Sequence, residues 1–198
     1  MALSVLIAGG GTGGHLYPGI AVARALVARV PDAQVVFVGT AAGVESRVVP
    51  HEGFPLEVIR SAGLKGKSFR SLLRGLLLLP ASALDAWSVL SRRRPSIVIG
   101  VGGYSSGPVV ALAALRGFPT LLMEQNAVPG FTNRLLAPLV SAAAVTYEDS
   151  VGVFGRKAFV AGNPVRPEFL RKEAHGEHNS PPGAARVLVF GGSQGAHA

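Results

Sequence analysis

A glycine-rich loop close to the start of the chain carries the clearest chemical signal in the sequence. The loop covers residues 9–14, follows an apolar run over residues 3–8 and leads into His15. A glycine loop between a strand and a helix directs backbone N–H groups and the positive helix end towards an anion. Glycine suits such a loop because its backbone takes positive φ angles and lets a ligand approach closely. These residues predict a site for a phosphate-bearing ligand; the alternative is a tight turn that only joins a strand to a helix.

His15 is the residue of this loop that could take part in a reaction. An unperturbed imidazole titrates near neutral pH, so this histidine could act as a general base. The alternative is a histidine that only caps the loop through a hydrogen bond. The helix that leaves the loop is predicted to start near Pro18, because proline is well tolerated in a first helical turn.

Two other kinds of nucleotide site fit the glycine loop less well. Gly9, Gly11 and Gly14 satisfy the pattern G-x-G-x-x-G that nicotinamide-dependent enzymes use. Those enzymes carry an acidic residue at the end of the second strand for the ribose hydroxyls, where this chain has Thr40. A P-loop would need a lysine at the position of His15. A nicotinamide-dependent Rossmann enzyme is therefore the weaker alternative, and a P-loop nucleotide hydrolase is not supported.

Metal and thiol chemistry have no candidate residues in this sequence. The chain has no cysteine, which excludes a disulfide framework and a thiolate metal site. It also has no Asp-x-Asp pair that could hold a diphosphate through a metal ion. Negative charge on a departing phosphate would then be stabilised by helix ends, backbone N–H groups and arginine. We predict no metal and no cofactor.

The elements that must position the loop are predicted as alternating strands and helices. Strands that are apolar throughout are typical of a parallel sheet covered by helices on both faces. The predicted strands cover residues 3–8, 34–39, 56–60, 96–101, 120–124 and 142–145. The predicted helices run from about residue 18 and over 40–49, 68–79, 109–115 and 131–137, with a further helix between Pro80 and Pro95. The fold class is α/β, a Rossmann-like parallel sheet.

Glycine or polar residues follow several of these strands, at residues 9–15, 102–107 and 124–126. In open α/β sheets, ligands bind at the carboxyl ends of the strands. The sequence therefore predicts that these three segments converge on one site.

Positive charge is concentrated in one part of the chain. Residues 61–100 hold seven cations against one acid and contribute +6 of the net charge of +8. Few aromatic residues accompany these cations, so a nucleic-acid partner is not predicted. An apolar helix flanked by Arg70 and Arg74 fits an interfacial membrane helix, and the alternative is an ordinary amphipathic helix. A membrane-spanning helix is excluded in this segment, because its longest uncharged run, residues 75–84, is far shorter than the ~20 residues needed and Pro80 interrupts it.

The end of the chain changes character. Residues 172–183 are polar and contain two prolines and two histidines. Beyond them, a second strand and a second glycine loop begin. We predict a first domain over residues 1–171, a linker over 172–185 and the start of a second domain over 186–198.

Six motifs together resemble one family, the bacterial peptidoglycan transferases that add N-acetylglucosamine to undecaprenyl-diphospho-N-acetylmuramoyl-pentapeptide. The motifs are AGGGTGGHLYPG (8–19), SAGLKGK (61–67), GVGGYSSGP (100–108), EQNAVPGFTNR (124–134), GNPVR (162–166) and GGSQGA (191–196). They stand in the family's order and cover nearly the whole chain. Residues 61–63 depart slightly from the family's usual serine-glycine pair.

The resemblance implies the N-terminal half of a two-domain glycosyltransferase of the GT-B type. Its reaction would be inverting and independent of metal, with UDP-N-acetylglucosamine as the donor. The N-terminal half would bind the lipid-linked acceptor at the cytoplasmic face of the bacterial membrane, as a peripheral protein. The uridine pocket would lie beyond residue 198, so the chain alone would bind the donor weakly. A non-catalytic module that binds the membrane and the acceptor is the alternative.

The resemblance also assigns residues to roles. His15 would be the base and Glu124 would lie near the sugar. Donor contacts would come from Thr12, Gly13, Gly14, Asn126, Arg166 and Ser193. The acceptor diphosphate would lie against Gly11, Gly103, Tyr104 and Ser105. The membrane patch would consist of Lys65, Lys67, Arg70, Arg74, Leu76, Leu77, Leu78, Leu79 and Trp87.

Overall fold

The computed structural model describes residues 3–61 and 69–166 of the chain. These residues form seven parallel strands in one sheet, in the order β3-β2-β1-β4-β5-β6-β7. The strands are β1 (Ser4–Gly9), β2 (Gln34–Gly39), β3 (Leu56–Val58), β4 (Ile97–Gly102), β5 (Thr120–Glu124), β6 (Ala142–Val145) and β7 (Ala158–Val160). The helices are α1 (Gly13–Arg29), α2 (Glu45–His51), α3 (Phe69–Arg93), α4 (Ser106–Leu115), α5 (Phe131–Leu136) and α6 (Val151–Phe154). The predicted α/β class is confirmed.

The core lies on both faces of the sheet, as the apolar strands predict. In β1, Leu6 and Ala8 belong to a cluster with residues of α3, α4, α5 and α6. Val5 and Ile7 belong to a second cluster with residues of α1 and α2. Successive side chains of a strand point to opposite faces, so a strand with helices on both sides is apolar without alternation.

Helix α1 begins five residues earlier than predicted. It starts at Gly13, with Thr12 in extended backbone before it, and Pro18 lies inside the helix. The prediction of a start near Pro18 is wrong. The first turn begins with Gly13, Gly14 and His15, which show no repeat of apolar residues that would mark a helix in the sequence. Pro18 has no N–H, so it donates no hydrogen bond to the carbonyl of Gly14.

Helix α3 is continuous where two helices are predicted. It runs from Phe69 to Arg93 and contains Pro80. A proline inside a helix removes one hydrogen bond and crowds the preceding turn. The turns that follow it bury Ala86, Val89 and Leu90 against the sheet, and this tertiary packing outweighs the local preference. The helix ends before Pro95, as predicted.

Helix α4 also begins earlier than predicted, at Ser106, with Pro108 in its first turn, where a missing N–H costs little. Helix α2 starts later than predicted, at Glu45. The strands β2, β5 and β6 have the predicted bounds. The predicted linker over residues 172–185 and the predicted second domain over 186–198 lie outside the described residues, and both stay predictions.

Candidate functional site

Three loops meet at the carboxyl edge of the sheet. We call residues 9–12 loop 1, residues 103–105 loop 4 and residues 125–130 loop 5. They follow β1, β4 and β5, which are neighbours in the sheet, and the strand order reverses between β1 and β4. Such a reversal opens a crevice at the carboxyl edge of an α/β sheet. The predicted convergence of these segments is confirmed.

Loop 1 and the start of loop 4 touch through glycine backbone. The N–H of Gly10 donates to the carbonyl oxygen of Gly102 at 3.4 Å. Gly103 has a φ of +83°, and a Cβ there would overlap the carbonyl of Gly10. A Cβ on Gly9 would lie 2.6 Å from the carbonyl oxygen of Gly102. Only glycine lets these two loops approach so closely.

The first turn of α1 offers N–H groups at this edge. In the described part of the chain, the N–H groups of Thr12, Gly13 and Gly14 donate to no protein acceptor. The N–H of Gly11, in contrast, donates to Oε2 of Glu45 at 2.9 Å. Unpaired N–H groups at a helix start carry partial positive charge and bind anions. Among the residues that the structure describes, no three His, Cys, Asp or Glu side chains are placed to hold a metal ion.

His15 lies between loop 1 and β4. Its Nδ1 is 3.0 Å from Oγ1 of Thr12. A Cβ on Gly102 would lie 2.7 Å from Cδ2 of His15, so the imidazole rests directly on the backbone of that glycine. Burial lowers the pKa of His15 below its ordinary value of 6.5, and the carboxylate of Glu124 opposes this shift. The imidazole is therefore neutral at pH 7 and can accept a proton.

Glu124 lies at the end of β5 with its carboxylate inside the protein. The residue is only 2% exposed. Its Oε1 accepts hydrogen bonds from the backbone N–H and the side-chain amide of Asn126, at 3.0 and 2.9 Å. Its Oε2 accepts from the N–H of Gly130 and the side-chain amide of Asn133, both at 2.9 Å. The carboxylate thus holds both ends of loop 5 through hydrogen bonds, and its negative charge acts on the imidazole of His15.

The other predicted residues of loops 4 and 5 have distinct surroundings. Tyr104 is half-buried, and its hydroxyl lies 3.4 Å from Oγ1 of Thr40. Ser105 is fully buried, and its hydroxyl has no hydrogen-bond partner among the described residues. Asn126 is exposed, and its carbonyl oxygen accepts a hydrogen bond from Oγ of Ser150 at 2.8 Å.

The segment 162–166 forms a groove with the first turns of α1. The groove has a volume of about 300 Å³. Its lining consists of Gly13, Gly14, Tyr17, Pro18, Asn163, Pro164, Val165 and Arg166. The guanidinium of Arg166 lies 4.8 Å from the centre of the Tyr17 ring. The structure therefore brings Gly13, Gly14 and Arg166 together, while Asn126 lies in loop 5, outside this groove.

Glu45 is a site residue that sequence reasoning missed. Its side chain is fully buried directly under loop 1. A Cβ on any of Gly10, Gly39 or Gly43 would overlap this side chain. The signal that could have revealed it is a lone acidic residue shortly after a buried strand, in a stretch rich in glycine.

The basic and apolar segment forms much of α3. Leu77, Leu84 and Trp87 are exposed large apolar residues of this helix, and the guanidinium of Arg116 lies 4.2 Å from the Trp87 ring centre. Leu79 is exposed and Leu78 is half-buried. Arg70, Arg74 and Leu76 lie in the N-terminal part of α3. Lys65 and Lys67, like Ser193, lie outside the described residues.

Part of the positive charge on this side of the protein is balanced by acids. Arg92 and Arg93 both pair with Glu57 of β3, at 3.0 and 2.6 Å. Arg60 pairs with Asp85 at 2.7 Å. This pairing lowers the pKa of Asp85 through the hydrogen bond from Arg60. None of the described helices combines the length and the apolar character that crossing a bilayer would require.

Comparison with known proteins gives consistent results. The sequence profile described as the glycosyltransferase family 28 N-terminal domain matches residues 5–145. A protein of Myxococcus xanthus (strain DK1622) is 50% identical over an alignment of 199 positions, which covers 98% of this chain and 50% of that protein. A protein of Anaeromyxobacter dehalogenans (strain 2CP-C) is 51% identical over 197 residues, 99% of this chain and 51% of the relative. Both are named UDP-N-acetylglucosamine--N-acetylmuramyl-(pentapeptide) pyrophosphoryl-undecaprenol N-acetylglucosamine transferase.

Among solved structures, the crystal structure of MurG from Acinetobacter baumannii is similar, with a TM-score of 0.68 and 27% sequence identity. The match covers 83% of this chain and 46% of that one. The chain thus spans about half the length of the curated relatives that it matches.

Proposed function

Because the chain belongs to glycosyltransferase family 28, whose N-terminal domain it contains, we propose that it is the acceptor-binding half of a transferase. That transferase moves N-acetylglucosamine from UDP-N-acetylglucosamine to undecaprenyl-diphospho-N-acetylmuramoyl-pentapeptide. The observation that carries the proposal is the position of the half-buried His15 imidazole beside the N–H groups of Thr12, Gly13 and Gly14, which have no acceptor among the described residues. A proton acceptor and an anion site side by side are what such a transfer needs.

The proposed reaction is a single displacement with inversion at the anomeric carbon of the donor sugar. A hydroxyl of the acceptor sugar forms the new bond to that carbon. The bond from the carbon to the diphosphate oxygen breaks, and UDP leaves with the electron pair. Nε2 of His15 takes the hydroxyl proton. This requires that Nδ1 is the protonated nitrogen before the reaction and donates a hydrogen bond to the hydroxyl oxygen of Thr12.

The donor is proposed to lie at the start of α1. Backbone N–H groups of Thr12, Gly13 and Gly14 would stabilise its phosphates, and Arg166 across the groove would add a positive charge. Asn126 of loop 5 is proposed as a further contact, and Ser193 is proposed to stabilise the departing UDP. Most of the donor site would come from the half of the protein that the relatives have in addition.

The acceptor diphosphate is proposed to lie against loop 1 and loop 4. Gly103, Tyr104 and Ser105 would form one wall of this site. Gly11 would form the other wall through its Cα, because its N–H is already bound to Glu45. Glu124 would act by shaping loop 5 and by its field at His15, since its carboxylate is buried.

The proposed location is the cytoplasmic face of the bacterial cell membrane, where the protein would bind peripherally. Leu76, Leu77, Leu78, Leu79 and Trp87 are proposed to enter the interface, and Lys65, Lys67, Arg70 and Arg74 to attract anionic lipid. An apolar helix surface bordered by cations binds membranes in this way. The exposure of Leu77 and Trp87, at 71% and 52%, supports this role.

The binding half of the proposal is tested by flotation of the chain with anionic vesicles, with and without the lipid-linked muramoyl-pentapeptide. We expect vesicle binding that the acceptor strengthens. Vesicle binding that is equally strong with and without the acceptor would contradict an acceptor site, and the chain would then be only a membrane-binding module. No binding at all would contradict the membrane role as well.

The catalytic half is tested by joining this chain to the part of the Myxococcus xanthus relative that it does not match. The joined protein should transfer labelled N-acetylglucosamine to the acceptor. A His15→Asn variant should still float with the acceptor but transfer sugar ~10² to 10⁴-fold more slowly. Equal rates for both proteins would contradict His15 as the base.

A further inference from the structure

Glu45 is a buried carboxylate directly beneath the proposed diphosphate site. It opens α2, and its residue is 0% exposed. The structure records no ion pair for it in the described part of the chain. A buried carboxylate without a cation is costly unless hydrogen-bond donors surround it. Its partners therefore identify what it does.

Those partners are donors from two different strand ends. Oε2 accepts the N–H of Gly11 in loop 1, at 2.9 Å. Oε1 accepts the N–H and the hydroxyl of Thr40, which follows β2, at 2.9 and 3.0 Å. The carboxylate thus connects loop 1 to the end of the neighbouring strand.

The connection continues to loop 4. The hydroxyl of Thr40 donates its hydrogen bond to Glu45. In the contact of 3.4 Å between the hydroxyl groups of Thr40 and Tyr104, the tyrosine must therefore be the donor. The ring of Tyr104 also lies over loop 1, since a Cβ on Gly11 would be 3.0 Å from its Cε1. One carboxylate therefore orients both walls of the proposed acceptor site.

We propose that Glu45 is a positioning residue for the acceptor diphosphate, an inference that rests on the proposed function. By holding the N–H of Gly11 inward, it fixes the wall that loop 1 contributes to this site. Through Thr40 it fixes the hydroxyl of Tyr104 at the same site. It does not touch the reacting atoms.

The test is the isosteric change Glu45→Gln in the joined two-domain protein. A glutamine has one acceptor oxygen, so its amide group must face either the N–H of Gly11 or the N–H of Thr40. We expect the KM for the acceptor to rise by about tenfold or more, with kcat and the KM for UDP-N-acetylglucosamine changed less than about twofold. The matched control is Glu52→Gln. This residue ends the same segment, pairs with Arg24 away from the loops, and should leave all three constants unchanged.

A second readout separates this inference from the proposed reaction. In the 198-residue chain, amide hydrogen exchange of Gly11 should be about tenfold or more faster in Glu45→Gln than in the unmodified chain. Inorganic diphosphate should shift the amide resonances of Gly103, Tyr104 and Ser105 in the unmodified chain and bind more weakly to the variant. If the unmodified joined protein transferred no sugar, the proposed function would fail, and these two measurements would still decide the role of Glu45.

Three results would overturn the inference. The first is an unchanged exchange rate at Gly11 in Glu45→Gln. The second is faster exchange together with unchanged binding of both the acceptor and inorganic diphosphate. The third is a fall in kcat and a rise in both KM values by similar factors, together with a lower melting temperature, which would indicate a merely structural carboxylate.

Discussion

Nδ1 of His15 lies 3.0 Å from the hydroxyl oxygen of Thr12, the residue that precedes the same helix. A threonine at this position usually accepts a hydrogen bond from a backbone N–H of the first turn. Here the hydroxyl makes no such bond. The contact with the imidazole therefore leaves the first-turn N–H groups available to a ligand and holds the ring of the proposed base in place.

The first prediction concerns the contact between Thr12 and His15. In the proposed mechanism Thr12→Val removes the oxygen that accepts a hydrogen bond from Nδ1, and kcat of the joined protein should fall by about fivefold, the equivalent of one hydrogen bond of ~1 kcal/mol. Thr12→Ser keeps the oxygen and should retain most of the rate. Steady-state rates at saturating concentrations of both substrates are the measurement. Equal rates for the valine and serine variants would show that the hydroxyl has no part in catalysis.

The second prediction concerns pH. The folded protein lowers the pKa of His15 below 6.5, so the acidic limb of the transfer rate should have its midpoint below that pH. Below 6.5 the unfolded chain binds more protons at this site than the folded one. The melting temperature should therefore fall as the pH drops from 6.5 to the folded-state pKa. His15→Gln should lack this component of the acid loss, and identical curves for the two proteins would contradict the prediction.

The third prediction concerns the glycine beneath the imidazole. Gly102→Ala places a methyl group 2.7 Å from Cδ2 of His15 at a φ of +96°, so it should displace the ring and lower kcat by about tenfold or more. Gly53→Ala is the matched control, with a φ of +82° and nothing within 4 Å of the added carbon. Both should lose ~1 kcal/mol or more of stability, because both strain the backbone. Comparable rates in the two variants would mean that the ring position is unimportant.

The fourth prediction concerns Glu124. Glu124→Gln leaves at least one of its four donors facing an amide group, so the variant should lose about 1–3 kcal/mol of unfolding free energy in urea titrations. It also removes the charge that opposes the pKa shift of His15, so the acidic limb of the rate should move to lower pH. Glu57→Gln, a change at the surface ion pairs with Arg92 and Arg93, should cost less than about 1 kcal/mol. A limb that stays in place would show that Glu124 and His15 are not coupled.

The fifth prediction concerns the membrane. Leu77→Ser combined with Trp87→Ala removes two exposed apolar side chains from α3, and vesicle binding should weaken by at least about tenfold. The control is Phe159→Ser on β7, which removes a side chain that is 51% exposed elsewhere on the surface. Sedimentation with anionic vesicles at low salt is the measurement. Equal losses in the control would mean that α3 is not a specific contact.

The strands were the most predictable part of the fold. Buried parallel strands are apolar without interruption and end at turn residues, so β2, β5 and β6 could be bounded from the sequence. The starts of α1 and α4 could not, because their first turns contain glycine, serine or proline. Those starts are fixed by contacts between loops that are distant in sequence.

The position of the candidate site in the fold was predictable from the sequence, but its side-chain hydrogen bonds were not. Loops after β1, β4 and β5 had to meet at one edge once the sheet was parallel. The sequence could also place Glu124 at that edge. It could not show that this carboxylate turns inward, or that Glu45 reaches a residue 34 positions earlier. Side-chain direction of this kind depends on the packing of whole segments.

The glycines around Glu45 also limit how this protein can evolve. Gly10, Gly39 and Gly43 leave just enough room for the side chain of Glu45, so none of these glycines can gain a side chain while the glutamate keeps its length. An alanine at Gly39 or Gly43 would be tolerated only after the glutamate had been shortened, and an alanine at Gly10 would in addition strain the backbone at its φ of +154°. These four residues should therefore behave as a single epistatic unit, inherited together or replaced together, in any mutational scan of the domain.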